Sequence, residues 1–153
     1  SIYAMNHCLQ NLGGAILLSG GRFIRPGAVP ERSTSQKLRI LLSSIARPGK
    51  PVIEYRREGM VGLDDPLFTF MYTLRFMRIV NFEDAILPEK LEFPVFVGVG
   101  DSDELFSIES ARALFESIPA ESKEFFVAKG AKHAEFPEGG WEPLFSWVDS
   151  NFD

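Results

Sequence analysis

The spacing of apolar positions changes several times along this chain, and the changes mark its elements. Ile2, Met5, Cys8 or Leu9, and Leu12 keep helical spacing, and Gly13-Gly14 end that run as a helix C-terminal cap would. Ala15-Ile16-Leu17-Leu18-Ser19 then reads as a short buried strand. Leu38, Leu41, Leu42 and Ile45 return to one helical face, closed by Pro48-Gly49-Lys50-Pro51. A further helix is predicted from Asp64-Asp65-Pro66, where acids suit the amino end and proline the first turn; Leu67, Phe70, Met71, Leu74 and Met77 would form its inner face. Val95 to Val99 is a continuous apolar, β-branched run with Pro94 at its mouth, the pattern of a parallel strand buried on both faces. Ser107 then caps a helix carrying Ala111, Leu114, Phe115 and Ile118 on one side. Phe125-Phe126-Val127-Ala128 is a second compact strand, and right-handed crossover geometry sets it beside the first. Trp141, Leu144, Phe145, Val148 and Phe152 form a closing amphipathic helix that would cover the sheet. Strands alternating with helices predict an α/β fold.

In open α/β sheets ligands bind beyond the carboxyl ends of the strands, so the residues leaving these strands are the ones to inspect. The first exit is Gly100-Asp101-Ser102-Asp103 and the second is Lys129-Gly130-Ala131-Lys132-His133. An acid and then a histidine at two successive strand ends is how a hydrolase charge relay is built: the acid fixes the imidazole tautomer, and the imidazole moves a proton to and from a nucleophile. Each residue also has a plainer role. Asp103 would serve equally as a turn carboxylate, Asp101 competes with it for the acid's place, and a lone loop histidine is usually a polar surface group. His7 has no acid or cysteine at ligand spacing and reads as structural.

From about Pro94 to Phe152 the chain resembles the C-terminal part of α/β-hydrolases, in which Gly-x-x-Asp after the seventh strand supplies the acid and a loop after the eighth supplies the histidine. The resemblance implies Asp103, rather than Asp101, as catalytic acid and His133 as catalytic base. Asp65-Pro66-Leu67 resembles the Asp-Pro-Leu that precedes a lid helix in monoacylglycerol-lipase and lysophospholipase-like members, serine aminopeptidase relatives among them. The implied fold is the C-terminal portion of an α/β-hydrolase: about three parallel strands with flanking helices and a helical lid insertion. Residues 1–21 would hold a helix and strand, 22–90 the lid, and 91–153 the strands bearing the acid and histidine with the closing helix. No Gly-x-Ser-x-Gly pentapeptide occurs in the chain. In the family the helix before the sixth strand begins at the nucleophile elbow, so the resemblance places the serine a residue or two before Ser1. Ser1 itself has Tyr3 where the family expects glycine, Ser19 corresponds to the small residue that commonly ends the sixth strand, and Cys8 reads as a core residue.

Charge separates the middle of the chain from the rest. Residues 22–57 carry nine Lys or Arg against Glu31 and Glu54, an excess of +7 in a chain whose net charge is −5, so the remainder carries −12. The basic stretch is read as a solvated face, with peripheral membrane contact through anionic lipid as the other outcome. Acidic overall charge and the lack of a reader motif argue against nucleic acid. Met60, Phe68, Met71 and Met77 are the candidate substrate-binding residues, since thioethers and rings adapt to a flexible acyl chain; ordinary helix packing would explain them equally. No metal-ligand spacing or phosphate-binding glycine loop is visible, so no metal or cofactor is expected. A single cysteine excludes an intrachain disulfide framework and suits a reducing compartment, and with no signal-like or membrane-spanning run the expected location is cytoplasmic. The strand at 15–19 would lack its usual neighbour, which predicts a homodimer or a companion N-terminal chain. The function expected from these readings is hydrolysis of small-molecule carboxylic esters or lipid-like substrates, with the chain inactive alone. The alternatives are a noncatalytic binding or assembly module, and peptidase or dehalogenase chemistry on the same fold.

Overall fold

The computed structural model describes residues 12–29, 31–56, 62–74, 76 and 89–152. The helix expected over the first residues, with His7 and Cys8, and the candidates Met60 and Met77 lie outside the described residues. The chain divides into two compact units, one formed by Ser1–Ala28 with Ala85–Asp153 and the other by Val29–Asp84.

The first unit is built on three parallel strands: β1 (Ala15–Leu18), β4 (Val95–Gly100) and β5 (Lys123–Ala128), in the spatial order β1-β4-β5. In register, Leu17 stands beside Val97 and Val97 beside Phe125, while Leu18 stands beside Gly98 and Gly98 beside Phe126. Because side chains alternate across a sheet, Leu17, Val97 and Phe125 share one face and Leu18, Phe96 and Phe126 the other. Helix α2 (Ile108–Ser117) covers the first face, with the Phe115 and Phe125 rings 5.4 Å apart. Helix α3 (Glu142–Phe152) covers the second, where Phe96, Leu144 and Trp147 form a buried cluster joined by Leu18, Phe126, Trp141 and Val148. All six residues of β4 are buried, as its unbroken apolar run requires of a strand enclosed on both faces. The Ser107 cap forms as expected, its hydroxyl accepting the Ser110 N–H at 3.1 Å. One expectation for the closing helix fails: Phe145 is 61% exposed, and Trp147 is the residue that turns inward.

The second unit holds helix α1 (Thr34–Ala46) and an antiparallel pair, β2 (Ile53–Glu54) with β3 (Met71–Tyr72). A capping box starts α1: the Ser33 hydroxyl accepts the Gln36 N–H, and the Gln36 side chain accepts the Ser33 N–H. Its predicted apolar face forms, but Leu38, Leu41, Leu42 and Ile45 stand 55 to 78% exposed. The helix predicted from Asp64 is absent over 64–73. Instead the Asp65 carboxylate accepts the Leu67 N–H at 2.8 Å, closing an Asx turn, and the chain then extends so that Tyr55 and Phe70 are joined by a backbone hydrogen bond flanking β2 and β3. Helical residues begin only at Leu74, where the Thr73 hydroxyl accepts the Phe76 N–H. No helix among the described residues is long and apolar enough to cross a membrane.

Candidate active site

The carboxyl ends of β4 and β5 lie side by side, and the backbone joins them before any side chain does. The Asp101 N–H donates to the Ala128 carbonyl and the Ser102 N–H to the Ala131 carbonyl, at 3.0 and 3.1 Å. Gly100 permits this approach: a Cβ there would collide with the Ala131 carbonyl. Gly130 turns the chain with φ at +73°, a value glycine adopts without steric cost.

The two aspartates of the β4 exit have different tasks. Asp101 is exposed, and its Oδ1 accepts the Gly130 N–H at 2.7 Å and the Ser102 hydroxyl at 3.0 Å, tying one strand exit to the other. Asp103 is 1% exposed. Its Oδ1 accepts the N–H groups of Leu105 and Phe106 at 2.8 and 2.9 Å, and its Oδ2 lies 3.2 Å from His133 Nδ1. Burial alone would raise the Asp103 pKa; the bonds from His133, Phe106 and Leu105, with the histidine's charge, outweigh it and hold the carboxyl below its ordinary value. Asp103 is therefore a carboxylate at neutral pH.

An ionised carboxylate only accepts hydrogen bonds, so the proton between the two groups belongs to His133 Nδ1. Nε2 is then the basic nitrogen, able to take a proton while the negative charge behind the ring stabilises the imidazolium. The ring is partly exposed, with 29% of the side chain accessible, and packs against Phe106 at 5.9 Å between centroids. Chemically, the arrangement is an oriented imidazole base backed by a buried anion.

Three further residues hold this loop. Glu104 Oε2 accepts the His133 N–H at 3.2 Å, and Ser19 Oγ, at the end of β1, accepts the Ala134 N–H at 2.9 Å. Phe106 supplies both an N–H to Asp103 and a ring to His133. Sequence reasoning weighed Ser19 only as a nucleophile or as a small strand-end residue, and passed over Glu104 and Phe106. Glu104 and Phe106 stand one and three residues after Asp103, but nothing in their spacing says that both reach His133, about thirty residues on.

Two of the four substrate-binding candidates, Phe68 and Met71, are described, and both belong to the second unit. The Phe68 ring lies tilted against that of Phe70, with centroids 5.0 Å apart. Met71 borders a cavity of about 230 Å³ within the second unit, whose walls include Arg32, Arg39, Arg56, Glu31 and Glu54 as well as Ile40 and Val52. Among the described residues no cluster of three or more His, Cys, Asp or Glu is placed to hold a metal.

No family model and no curated protein matches the chain by sequence. Among solved structures it is similar to a monoacylglycerol lipase from Paleococcus ferrophilus, with a TM-score of 0.67 and 23% identity over 98% of this chain and 63% of the lipase. It is also similar to a thermophilic esterase from Thermogutta terrifontis, with a TM-score of 0.55 and 16% identity over 99% of this chain and 61% of the esterase. The chain thus spans less than two thirds of either protein. At such identities the likeness concerns the path of the backbone, and that path, with its parallel β1-β4-β5 sheet between helices, is the fold of the C-terminal part of an α/β-hydrolase.

Proposed function

We propose that this chain carries the acid and the base of a serine-hydrolase triad that cleaves carboxylic esters, with Asp103 as acid, His133 as general base and acid, and the serine outside these 153 residues. One observation carries the reading: a buried carboxylate, held by two N–H groups, bonds to Nδ1 of a partly exposed histidine at adjoining parallel strand ends. His133 Nε2 would take the serine proton as the hydroxyl attacks the ester carbonyl, then return it to the departing alcohol. In the second half it would take a proton from water as the water oxygen attacks the acyl carbon, then give that proton to the serine oxygen as the acyl–serine bond breaks and the free acid leaves. The lipase and esterase likeness supports an ester or lipid-like substrate, and the apolar residues of the 29–84 unit support an acyl chain as part of it.

The test is hydrolysis of p-nitrophenyl esters of graded chain length by the full-length protein. His133→Ala and Asp103→Asn should each lower kcat by about 10³-fold or more while the fold persists. Turnover by the isolated 153-residue chain that survives Ser1→Ala would refute an external serine. Full activity in His133→Ala would refute the triad, and no turnover by the parent on any ester of the series would favour a noncatalytic module.

A further inference from the structure

The loop that bears His133 has a complete hydrogen-bond account. Of the six N–H groups from Gly130 to Glu135, three bond to backbone carbonyls close by: Ala131 to Ala128, Lys132 to Glu135 and Glu135 to Lys132. The other three go to side chains of other segments: Gly130 to Asp101, His133 to Glu104 and Ala134 to Ser19. Asp101 and Glu104 both come from the β4 exit. Ser19 is the only one of the three that ties the loop to a different strand, across 115 residues of sequence.

Ser19 is also conformationally unusual. It has φ at +50° and its bonding partner Ala134 has φ at +57°, so two non-glycine residues occupy the left-handed region on either side of one hydrogen bond. Ser19 is 7% exposed, and its own N–H is fixed to the Gly98 carbonyl at 2.9 Å, so its hydroxyl is aimed from a rigid strand end. Such strain persists only where the surroundings hold it.

We propose that Ser19 is a positioning residue for His133. Its hydroxyl, bonded to the N–H of the next residue, would set the backbone from which the imidazole projects, and so keep Nδ1 on Asp103. This rests on the catalytic reading of His133 only for its consequence on rate; the effect on the imidazole can be measured without a substrate.

Two substitutions at Ser19 separate this role from mere backbone support. Ser19→Gly removes the hydroxyl but relieves the left-handed strain, so gain and loss offset and Tm should stay within about 3 °C of the parent. Ser19→Thr keeps the hydroxyl but places a β-branched residue at positive φ, so Tm should fall. The readout is NMR of the full-length protein labelled with ¹⁵N-histidine, in which the His133 signals are those missing from His133→Gln. In Ser19→Gly, solvent exchange of the Nδ1 proton should quicken about tenfold and kcat for ester hydrolysis fall about tenfold with KM unchanged, the factor set by one hydrogen bond. In Ser19→Thr the histidine signals and kcat should stay as in the parent. Unchanged Nδ1 exchange in Ser19→Gly, or histidine signals that follow Tm across the two variants, would overturn the proposal. A parent protein with no ester hydrolysis but with these NMR differences would remove the proposed function and leave the positioning role standing. A parent His133 with no Nδ1 proton would remove both.

Discussion

At the level of single residues, the two aspartates separated by one serine show how burial assigns work. Asp103 has its carboxylate enclosed and bonded on both oxygens, whereas Asp101 spends its carboxylate on the neighbouring loop in solvent. A buried anion is tolerable only when so bonded, and the same bonds lower its pKa. The sign of the stability effect follows. A carboxyl with a lower pKa in the folded than in the unfolded state contributes stability fully above its unfolded value, about 4, and loses it as pH falls through the folded value. Chemical denaturation of the parent and of Asp103→Asn, compared between pH 7 and pH 2.5, should therefore show the parent losing more stability in acid; parallel profiles would deny the shift. Asp101→Ala should act differently: it frees the Gly130 N–H in solvent, costs about 1 kcal/mol or less, and lowers kcat far less than Asp103→Asn. Equal kinetic losses at the two positions would give Asp101 a share in the acid's role.

Among the elements, caps and cross-links decide where helices begin and how loops are held. The Ser107 cap is a local feature, and Ser107→Ala should cost about 1 kcal/mol in urea unfolding. Ser110, three residues on, acts at long range: it is fully buried, accepts the Phe23 N–H at 2.8 Å and donates to the Phe23 carbonyl, pinning the chain that leaves β1 against α2. Ser110→Ala leaves both groups without that partner and should cost about 1 to 3 kcal/mol, more than the cap loss. The reverse order would mean that water replaces the hydroxyl. The failed helix at 64–73 has a related cause. Leu67, Phe70, Met71 and Leu74 fit a helical stripe, but the stretch between is rich in Thr, Phe and Tyr, which suit a strand equally well. Pairing with β2 and the Asp65 turn settled the choice, and neither is encoded in the spacing.

For the molecule as a whole, the sheet is the scaffold from which the Asp103 and His133 loops project, and its stability rests on the two layers that cover it. Phe96 is fully buried and its ring lies 5.5 Å from that of Trp147, where α3 meets the sheet. Phe96→Ala should cost about 3 to 5 kcal/mol, measured as a fall in the urea midpoint, because the enclosed site cannot collapse around the void. A loss below 1 kcal/mol would mean that α3 does not close this face.

Much of this unit was legible from the residues because its physics is local. An unbroken apolar run between turn residues demands a strand covered on both faces, serine before a helical stripe demands a cap, and parallel strands demand a crossover between them; β4, β5 and α2 follow from those requirements. The order of Gly100-Asp101-Ser102-Asp103 and His133 likewise marks both loops as strand exits. Tertiary structure alone decided which carboxylate is enclosed, that Trp147 rather than Phe145 turns inward, and that the Ser19 hydroxyl reaches the loop of His133. Those outcomes depend on groups 30 to 115 residues apart meeting through hydrogen bonds or ring contacts, and such meetings are products of packing that the period of a sequence does not contain.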